Sequence, residues 1–440
     1  DEIRQQALEG TEIRSSWSAA PTAGGATGDY WLASFGDPQL DALVSEAIGS
    51  NPDLRASAAR VERAAAYADA ARASLYPWLN IFGTGGLKVG GGDLSSALQG
   101  LMLGVSWEPD LWGRIRYGRN AAEEDFASAR ADYEFARQSL AAQVARSWFL
   151  ATETRLQLGA AESVAQSARE LLRLAGDREG AGAGSRKEVA LARANLGSFE
   201  DAARQARLTH EQALRSLETI LGRYPATELQ AAASLPAVPA PVPVGMPLAM
   251  LERRPDLIAA ERRVAAAFNR VGEAKAAELP RVTLNASIAT LSSDVLQLQQ
   301  DYQDPSAGAG ATLFAPLYRG GELKAQAAAR TAEQNEALAR YASQALRAIG
   351  EVEDALGSSK VLAEREQLLG EVVADQERVL EYEESAYRVG RVDLRAVQQQ
   401  QVQVQSARMA LLRVQSEQLI QRVNLHLALG GSFSEPAPAA

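Results

Sequence analysis

The 440-residue chain contains no cysteine. This excludes disulfides, thiolate metal sites and cysteine nucleophiles, and it is compatible with any compartment. Histidine occurs only at His210 and His426, and there are four methionines. Soft-metal capture therefore has few ligands to draw on. Each histidine stands alone in a helical stretch and is expected to be packed or solvated rather than catalytic. No run of about 18 apolar residues occurs, which excludes a membrane-spanning helix, so any membrane role has to use strands. Aromatics make up 6% of the chain, and alanine supplies much of its apolar 46%. Alanine mixed with Glu, Gln and Arg suits close helix packing better than a thick globular core. The net charge of −10 argues against non-specific binding to nucleic acid.

Proline is missing from two long spans, Pro109 to Pro225 and Pro316 to Pro436. A proline inside a helix costs about 3 kcal/mol, so such absences mark long helices. Glycines interrupt each span near its middle, at Gly176 to Gly184 and at Gly390 in Tyr387-Arg388-Val389-Gly390. Each span is expected to be a hairpin of two helices of about 60 residues, an arm on the order of 90 Å. Ala122, Phe126, Ala129, Tyr133, Ala136 and Leu140 step by four and three, as do Leu338, Ala342, Ala345, Ile349, Val352 and Leu356. Both rows read as coiled-coil seams.

The two spans belong to a duplication. Pro52-Asp53-Leu54 recurs as Pro255-Asp256-Leu257 and Pro77 as Pro280, 203 residues on; Pro109 recurs as Pro316 at 207 and Leu221-Gly222 as Leu429-Gly430 at 208. The expected organisation is an extended N-terminal arm over 1–36, with Trp17, Tyr30, Trp31 and Phe35 as anchors. A first repeat covers 37–222, with a β-hairpin at about 79–108 and a helical hairpin at about 112–222. A linker covers 223–246. A second repeat covers 247–431, with a β-hairpin at about 282–315 and a helical hairpin at about 319–430. A tail covers 432–440.

Each hairpin contains a strand with period two. Leu101, Leu103, Val105 and Trp107 alternate with Met102, Gly104, Ser106 and Glu108; Val282, Leu284, Ala286 and Ile288 alternate with Thr283, Asn285, Ser287 and Ala289. The turns fall at Gly90-Gly91-Gly92 and in the polar loop Asp294 to Pro305. Four strands cannot close a transmembrane barrel, because open edges in lipid leave backbone groups unpaired. Closure needs several chains. Two would give a barrel filled with side chains, and three would give twelve strands around a pore.

Several motifs together carry a family resemblance over about residues 30–431: Trp31-Leu32-Ala33-Ser34-Phe35-Gly36-Asp37-Pro38-Gln39-Leu40, Trp107-Glu108-Pro109-Asp110-Leu111-Trp112-Gly113-Arg114, Glu252-Arg253-Arg254-Pro255-Asp256-Leu257, Tyr387-Arg388-Val389-Gly390 and Leu427-Ala428-Leu429-Gly430-Gly431. With the repeat and the proline-bounded hairpins, the chain resembles the outer membrane factors, the TolC/OprM-like or NodT-type efflux proteins of Gram-negative bacteria. The resemblance implies a mixed α and β membrane protein. Its trimer would form a 12-stranded β-barrel, four strands per chain, continuous with a long periplasmic α-helical barrel.

The implied function is the outer-membrane exit duct of a tripartite efflux pump, conducting drugs or other small molecules passively from the periplasm to the exterior. The implied partners are two further copies, a periplasmic adaptor, an inner-membrane pump of the RND type and outer-membrane lipid. Leu101, Leu103, Val105 and Trp107 would face lipid. Gly180, Gly182, Gly184, Ser185 and Gly390 would form adaptor-docking tips. Arg388, Arg391, Asp393 and Gln398 would form a periplasmic gate, with Asp393 either pairing across subunits or capping the last helix. Many relatives begin with a lipidated cysteine; here that residue precedes Asp1 or lipidation does not occur. Relatives also carry an acidic ring in the helix after the tip, where this chain has Gln398-Gln399-Gln400-Gln401. The competing reading is a soluble coiled-coil scaffold or surface adhesin without a pore.

No enzyme chemistry and no cofactor are expected. Gly83-Thr84-Gly85-Gly86-Leu87-Lys88 lacks the spacing of a phosphate loop and opens no helix, so it reads as a hairpin segment. Glu123 and Glu124 read as solvated helix-face charges rather than an acid–base pair.

Overall fold

The computed structural model describes residues 2–9, 13–19, 29–88, 95–292 and 305–433. The first half runs from α1 (Glu2–Ala7) through a 3-10 turn (Leu32–Phe35) to α2 (Pro38–Ser50) and α3 (Pro52–Ala73). It continues with β1 (Trp78–Lys88), β2 (Ser95–Trp107), α4 (Arg114–Gly180) and α5 (Arg186–Ile220). The second half runs through α6 (Pro247–Arg253), α7 (Pro255–Ala276), β3 (Arg281–Ser292), β4 (Ser306–Phe314), α8 (Glu322–Arg388) and α9 (Leu394–Ala428).

The duplication is carried into helix lengths. Helices α3 and α7 each have 22 residues, α4 and α8 each 67, and α5 and α9 each 35. The expectation of two equal arms is thereby corrected. Within the glycine cluster expected to break the first span, Gly176 stays inside α4 and the reversal falls at Gly182; the second reversal is at Gly390, as expected, and their φ values are +70° and +73°. Only a residue without Cβ takes the left-handed conformation without strain, so the chain reverses there and nowhere earlier. The 1–36 arm is also not wholly extended, since it contains α1 and the 3-10 turn. Ile3 and Ala7 of α1 pack against Val264 and Tyr341, which explains why so short a helix persists.

The chain divides into two compact units. One comprises Asp1–Thr11, Ala58–Asp132 and Asp256–Gln344 and carries the sheet. Its four strands are antiparallel in the order β1-β2-β3-β4, so the hairpins of the two halves are joined through β2 and β3. The turns expected at Gly90-Gly91-Gly92 and Asp294 to Asp304 lie outside the described residues.

The other unit comprises Glu12–Ser57, Tyr133–Pro255 and Ala345–Ala440. Its main core joins Trp31 and Phe35, Leu40 and Val44 of α2, Trp148 and Phe149 of α4, Leu217 of α5 and Leu419 of α9. Trp17 is buried and donates its Nε1–H to the carbonyls of Val244 and Gly245, fixing the N-terminal segment to the linker. Glu218 holds the linker's other end, accepting from the backbone N–H groups of Thr227, Glu228 and Leu229 at 2.8, 2.7 and 3.0 Å. Of the expected α8 seam, Leu338, Ala345 and Val352 are buried, but Tyr341, Ala348 and Ala355 complete the buried row in place of Ala342, Ile349 and Leu356.

Candidate functional site

The sheet has two unlike faces, set by register. Leu101, Leu103 and Val105 stand opposite Gly83, Ile81 and Leu79 on one side and Thr290, Ile288 and Ala286 on the other. Trp107 stands opposite Leu284. Leu284, Ala286 and Ile288 in turn face Ala311, Ala309 and Ala307. Because opposed residues of an antiparallel pair point to the same side, these residues form one almost wholly apolar face across all four strands. The opposite face is mixed: Asn80, Gly104, Ser287 and Gly308 form one row, Trp78, Ser106, Asn285 and Gly310 the row on one side of it, and Phe82, Met102, Ala289 and Ser306 the row on the other. A cavity of about 600 Å³ opens beside Ser106 and Thr283, walled also by Trp78, Arg114 and Arg281.

Within one chain the apolar face is uncovered: Leu101 is 53% exposed, Leu103 43% and Ile288 54%. The outer edges of β1 and β4 have no partner strand among the described residues. An apolar face and two open ladders are costly in water and suit hydrocarbon only once the edges are closed. No described helix is long and apolar enough to cross a membrane.

The helical tips share one construction. At the first, Gly182 N–H donates to the Glu179 carbonyl and Ala183 N–H to that of Arg178, at 3.0 and 2.9 Å. At the second, Gly390 N–H donates to the Tyr387 carbonyl and Arg391 N–H to that of Ala386, at 3.0 and 2.9 Å. Both are Schellman closures, which satisfy the last carbonyls of a helix. The chain then re-enters a helix through a polar cap. Ser185 forms a capping box with Glu188. Asp393 accepts from the N–H groups of Arg395 and Ala396 at 2.8 and 3.2 Å.

The expected tip residues differ in what they demand. Gly182 and Gly390 need their left-handed φ. A Cβ on Gly184 would lie 2.9 Å from the Glu179 nitrogen, so that loop excludes any side chain. Gly180 is the last residue of α4 and a Cβ there meets nothing within 4 Å.

The expected gate residues are brought together only in part. Arg388, Arg391 and Asp393 are all exposed around the second tip, whereas Gln398 is buried, with its Oε1 unpartnered. Within the chain, Asp393 is engaged as a helix cap.

Sequence reasoning passed over Arg178. Its Nη1 donates to the Tyr387 carbonyl at 2.9 Å and its guanidinium lies 4.9 Å from the Tyr387 ring centroid, joining the two tips. Beneath it, Leu171, Ala175, Ala192, Tyr387, Leu394 and Val397 form a small core. A basic residue in the last turn of α4, near a glycine cluster, is the signal that could have pointed to it. Ser185-x-x-Glu188 was likewise readable as a capping box. His426 is packed, stacked on Trp31 with ring centroids 5.8 Å apart. His210 meets the Thr154 hydroxyl.

Comparison with known proteins agrees with this geometry. The family model described as outer membrane efflux protein matches residues 43–223 and 247–431. The pyoverdine export outer membrane protein OpmQ of Pseudomonas aeruginosa is 30% identical over 92% of this chain and 87% of that protein. The probable efflux pump outer membrane protein TtgC of Pseudomonas putida is 28% identical over 92% and 85%. The solved structure of the outer-membrane channel OprN superposes with a TM-score of 0.85 at 26% identity, covering 96% of this chain and 97% of that one. These findings favour a channel over a pore-free helical scaffold. With its mixed α and β fold, its four strands and its paired long helices, the chain belongs to the outer membrane efflux protein family.

Proposed function

We propose that this chain is the outer-membrane exit duct of a tripartite efflux pump. It assembles as a homotrimer whose twelve strands close a barrel, and the helical hairpins continue the duct into the periplasm. Drugs or other small molecules pass through passively. A periplasmic adaptor docks on the tips at Gly180, Gly182, Gly184, Ser185 and Gly390, and an inner-membrane pump of the RND type supplies the substrate. The observation that carries this reading is the sheet, almost wholly apolar on one face, mixed on the other, and unpaired at both edges among the described residues. The relatives are named for pyoverdine export and for an efflux pump, which fits a duct that leaves substrate choice to its pump.

Leu101, Leu103, Val105 and Trp107 contact lipid in this reading. The gate consists of Arg388, Arg391 and Asp393, with Gln398 supporting it from behind. Deleting the gene in its host tests the function: the cell should accumulate the pump's substrates, and the intact chain should restore their export. Unchanged accumulation would contradict it. The gate is tested by Asp393→Asn, which keeps a capping oxygen but removes the charge. Raised resting conductance supports a charge latch. An unchanged resting conductance, with lower thermal stability in Asp393→Ala, makes the residue a cap alone.

A further inference from the structure

The cavity beside Ser106 is walled entirely by the sheet-bearing unit, where strands give way to helices. Its volume of about 600 Å³ is of the size that encloses a small organic molecule. It opens on the mixed face of the sheet: Trp78 stands opposite Ser106, and Thr283 lies on the same side of β3 as Asn285. Its walls are tied in place. The Trp107 indole N–H donates to the Leu75 carbonyl at 2.9 Å, joining the end of β2 to the segment before β1. Arg72 of α3 pairs with Glu123 of α4 at 3.1 Å. Tyr117 of α4 fills the space left by Gly272 of α7, where a Cβ would come within 2.7 Å of its ring.

Five charged side chains line the cavity, and three of them are engaged. Arg114 donates to both carboxylate oxygens of Glu108, at 3.0 and 3.1 Å. Arg119 donates to the Asn120 Oδ1 and pairs with Glu123 at 3.7 Å. The other two stand apart. Glu273 is half-buried against the bare backbone of Gly118, where a Cβ would lie 3.1 Å from its carboxylate, and no cation pairs with it among the described residues. Arg281 rests on the Phe314 ring, 4.6 Å from its centroid, and no carboxylate pairs with it among the described residues. One anion and one cation therefore line a single cavity without neutralising each other. Tyr76 and Trp78 add aromatic surface that is 65% and 62% exposed.

The duplication shows that the fold does not require this set. At the offset of 203, Tyr76 answers to Leu279 and Glu273 to Ala70; at 207, Glu108, Arg114 and Arg119 answer to Ala315, Gly321 and Gln326. The helices concerned nevertheless keep equal lengths, α3 with α7 and α4 with α8. Trp78 and Arg281 are themselves counterparts, and they bring an aromatic face and a cation to the same cavity. We propose that the cavity is a binding subsite for aromatic zwitterions on their way out. The ring system lies on Trp78 and Tyr76, the ligand's anionic group meets Arg281, and its cationic group meets Glu273. Both protein charges are partly solvated, so each contact is weak and the cargo is released again. This inference rests on the proposed duct, whose lumen the mixed face lines, and adds the class of cargo held there.

Three probes with one fluorophore test it: ε-dansyl-lysine is an aromatic zwitterion, dansylglycine an anion and dansylcadaverine a cation. They are titrated into the full chain held in amphipol, and binding is read by energy transfer from tryptophan. The zwitterion should bind about fivefold tighter than either of the others. Arg281→Gln should weaken the zwitterion and the anion but not the cation; Glu273→Gln should weaken the zwitterion and the cation but not the anion. Arg281→Lys keeps the charge and should keep most of the preference, which guards against a misfolded variant. Equal binding of the three probes, or a preference that both neutral variants retain, overturns the site. In a planar bilayer, ε-dansyl-lysine should lower the single-channel current, and less so in Glu273→Gln. Conductance steps without selective binding overturn the site and leave the duct standing. Selective binding by a chain that gives no steps supports the site and overturns the duct.

Discussion

Asn51 and Arg254 stand at equivalent points of the two halves and do the same work with different chemistry. Each precedes the proline that opens a helix, and each reaches a carbonyl at the end of its half's final helix. Asn51 Nδ2 donates to the Ile220 carbonyl at 2.9 Å, and Arg254 Nη1 donates to that of Ala428 at 3.2 Å. Beside them, Gly222 and Gly430 end those helices in the left-handed conformation, φ +75° and +70°. A Cβ at either would come within 3.0 Å of backbone, at Ser50 and Arg253 respectively. Each half is thus fastened where its long hairpin returns.

This junction gives an ordered stability prediction. Asn51 also caps α3, accepting from Asp53 and Leu54 N–H, so Asn51→Ala should cost about 1–2 kcal/mol. Arg254 is nearly wholly buried and also bonds Glu351 at 2.6 Å. Arg254→Ala removes charge-assisted bonds and leaves the Ala428 carbonyl without that donor, for about 2–4 kcal/mol. Denaturant unfolding in detergent should rank Arg254→Ala as the more damaging. The reverse order would contradict the assignment of roles.

The tips make a comparison between near neighbours. Gly180→Ala should leave stability and the tip's resistance to protease unchanged, since the residue is helical and its surroundings within the chain are open. Gly184→Ala must displace the Glu179 backbone and open the first tip. Trypsin should then cut faster at Arg186 and Lys187, and export should fall while membrane levels hold. Equal behaviour of the two variants would remove Gly184 from the tip's construction.

The face assignment is tested on one strand. Leu103→Arg puts a charge on the apolar face and should cost about 2–4 kcal/mol if it lies near the bilayer midplane. Ser106→Arg, on the opposite face, should be milder. Equal losses of assembled protein would refute the register.

His426 supplies a pH dependence. Burial, and then the nearby Arg422 charge, push its imidazole from the ordinary 6.5 down to about 4, and neither ring nitrogen has a hydrogen-bond partner. The unfolded chain therefore binds this proton first. Between about pH 6.5 and 4 the unfolded state carries more protons, so stability falls as pH falls, by up to about 3 kcal/mol over the window. His426→Phe keeps a ring against Trp31 and should flatten this part of the profile. Unfolding midpoints at pH 7.5 and 5 check it; an unaltered slope in the variant would place the acid sensitivity elsewhere.

Much of this was legible in the residues. Proline at 52, 77, 109, 255, 280 and 316 bracketed the helices and strands because proline is excluded from their interiors. Period-two alternation in Leu101 to Trp107 revealed the apolar face before any register was known. What stayed hidden depends on backbone conformation or on distant contacts. Gly176 and Gly182 are the same residue type, and only the second takes a left-handed φ. Helix α1 is made largely of good helix formers but is too short to persist alone, and packing against the cluster that holds Val264 and Tyr341, far along the chain, stabilises it. Arg178 reads as one more helix-face cation until Tyr387 arrives 209 residues later.

The central claim is that this sheet becomes a pore only when copies join. Single-channel recording of the detergent-purified protein in a planar bilayer tests it most directly. The account predicts discrete conductance steps from a species that native mass spectrometry weighs as a trimer. A chain that stays monomeric, needs no detergent and gives no steps would contradict it.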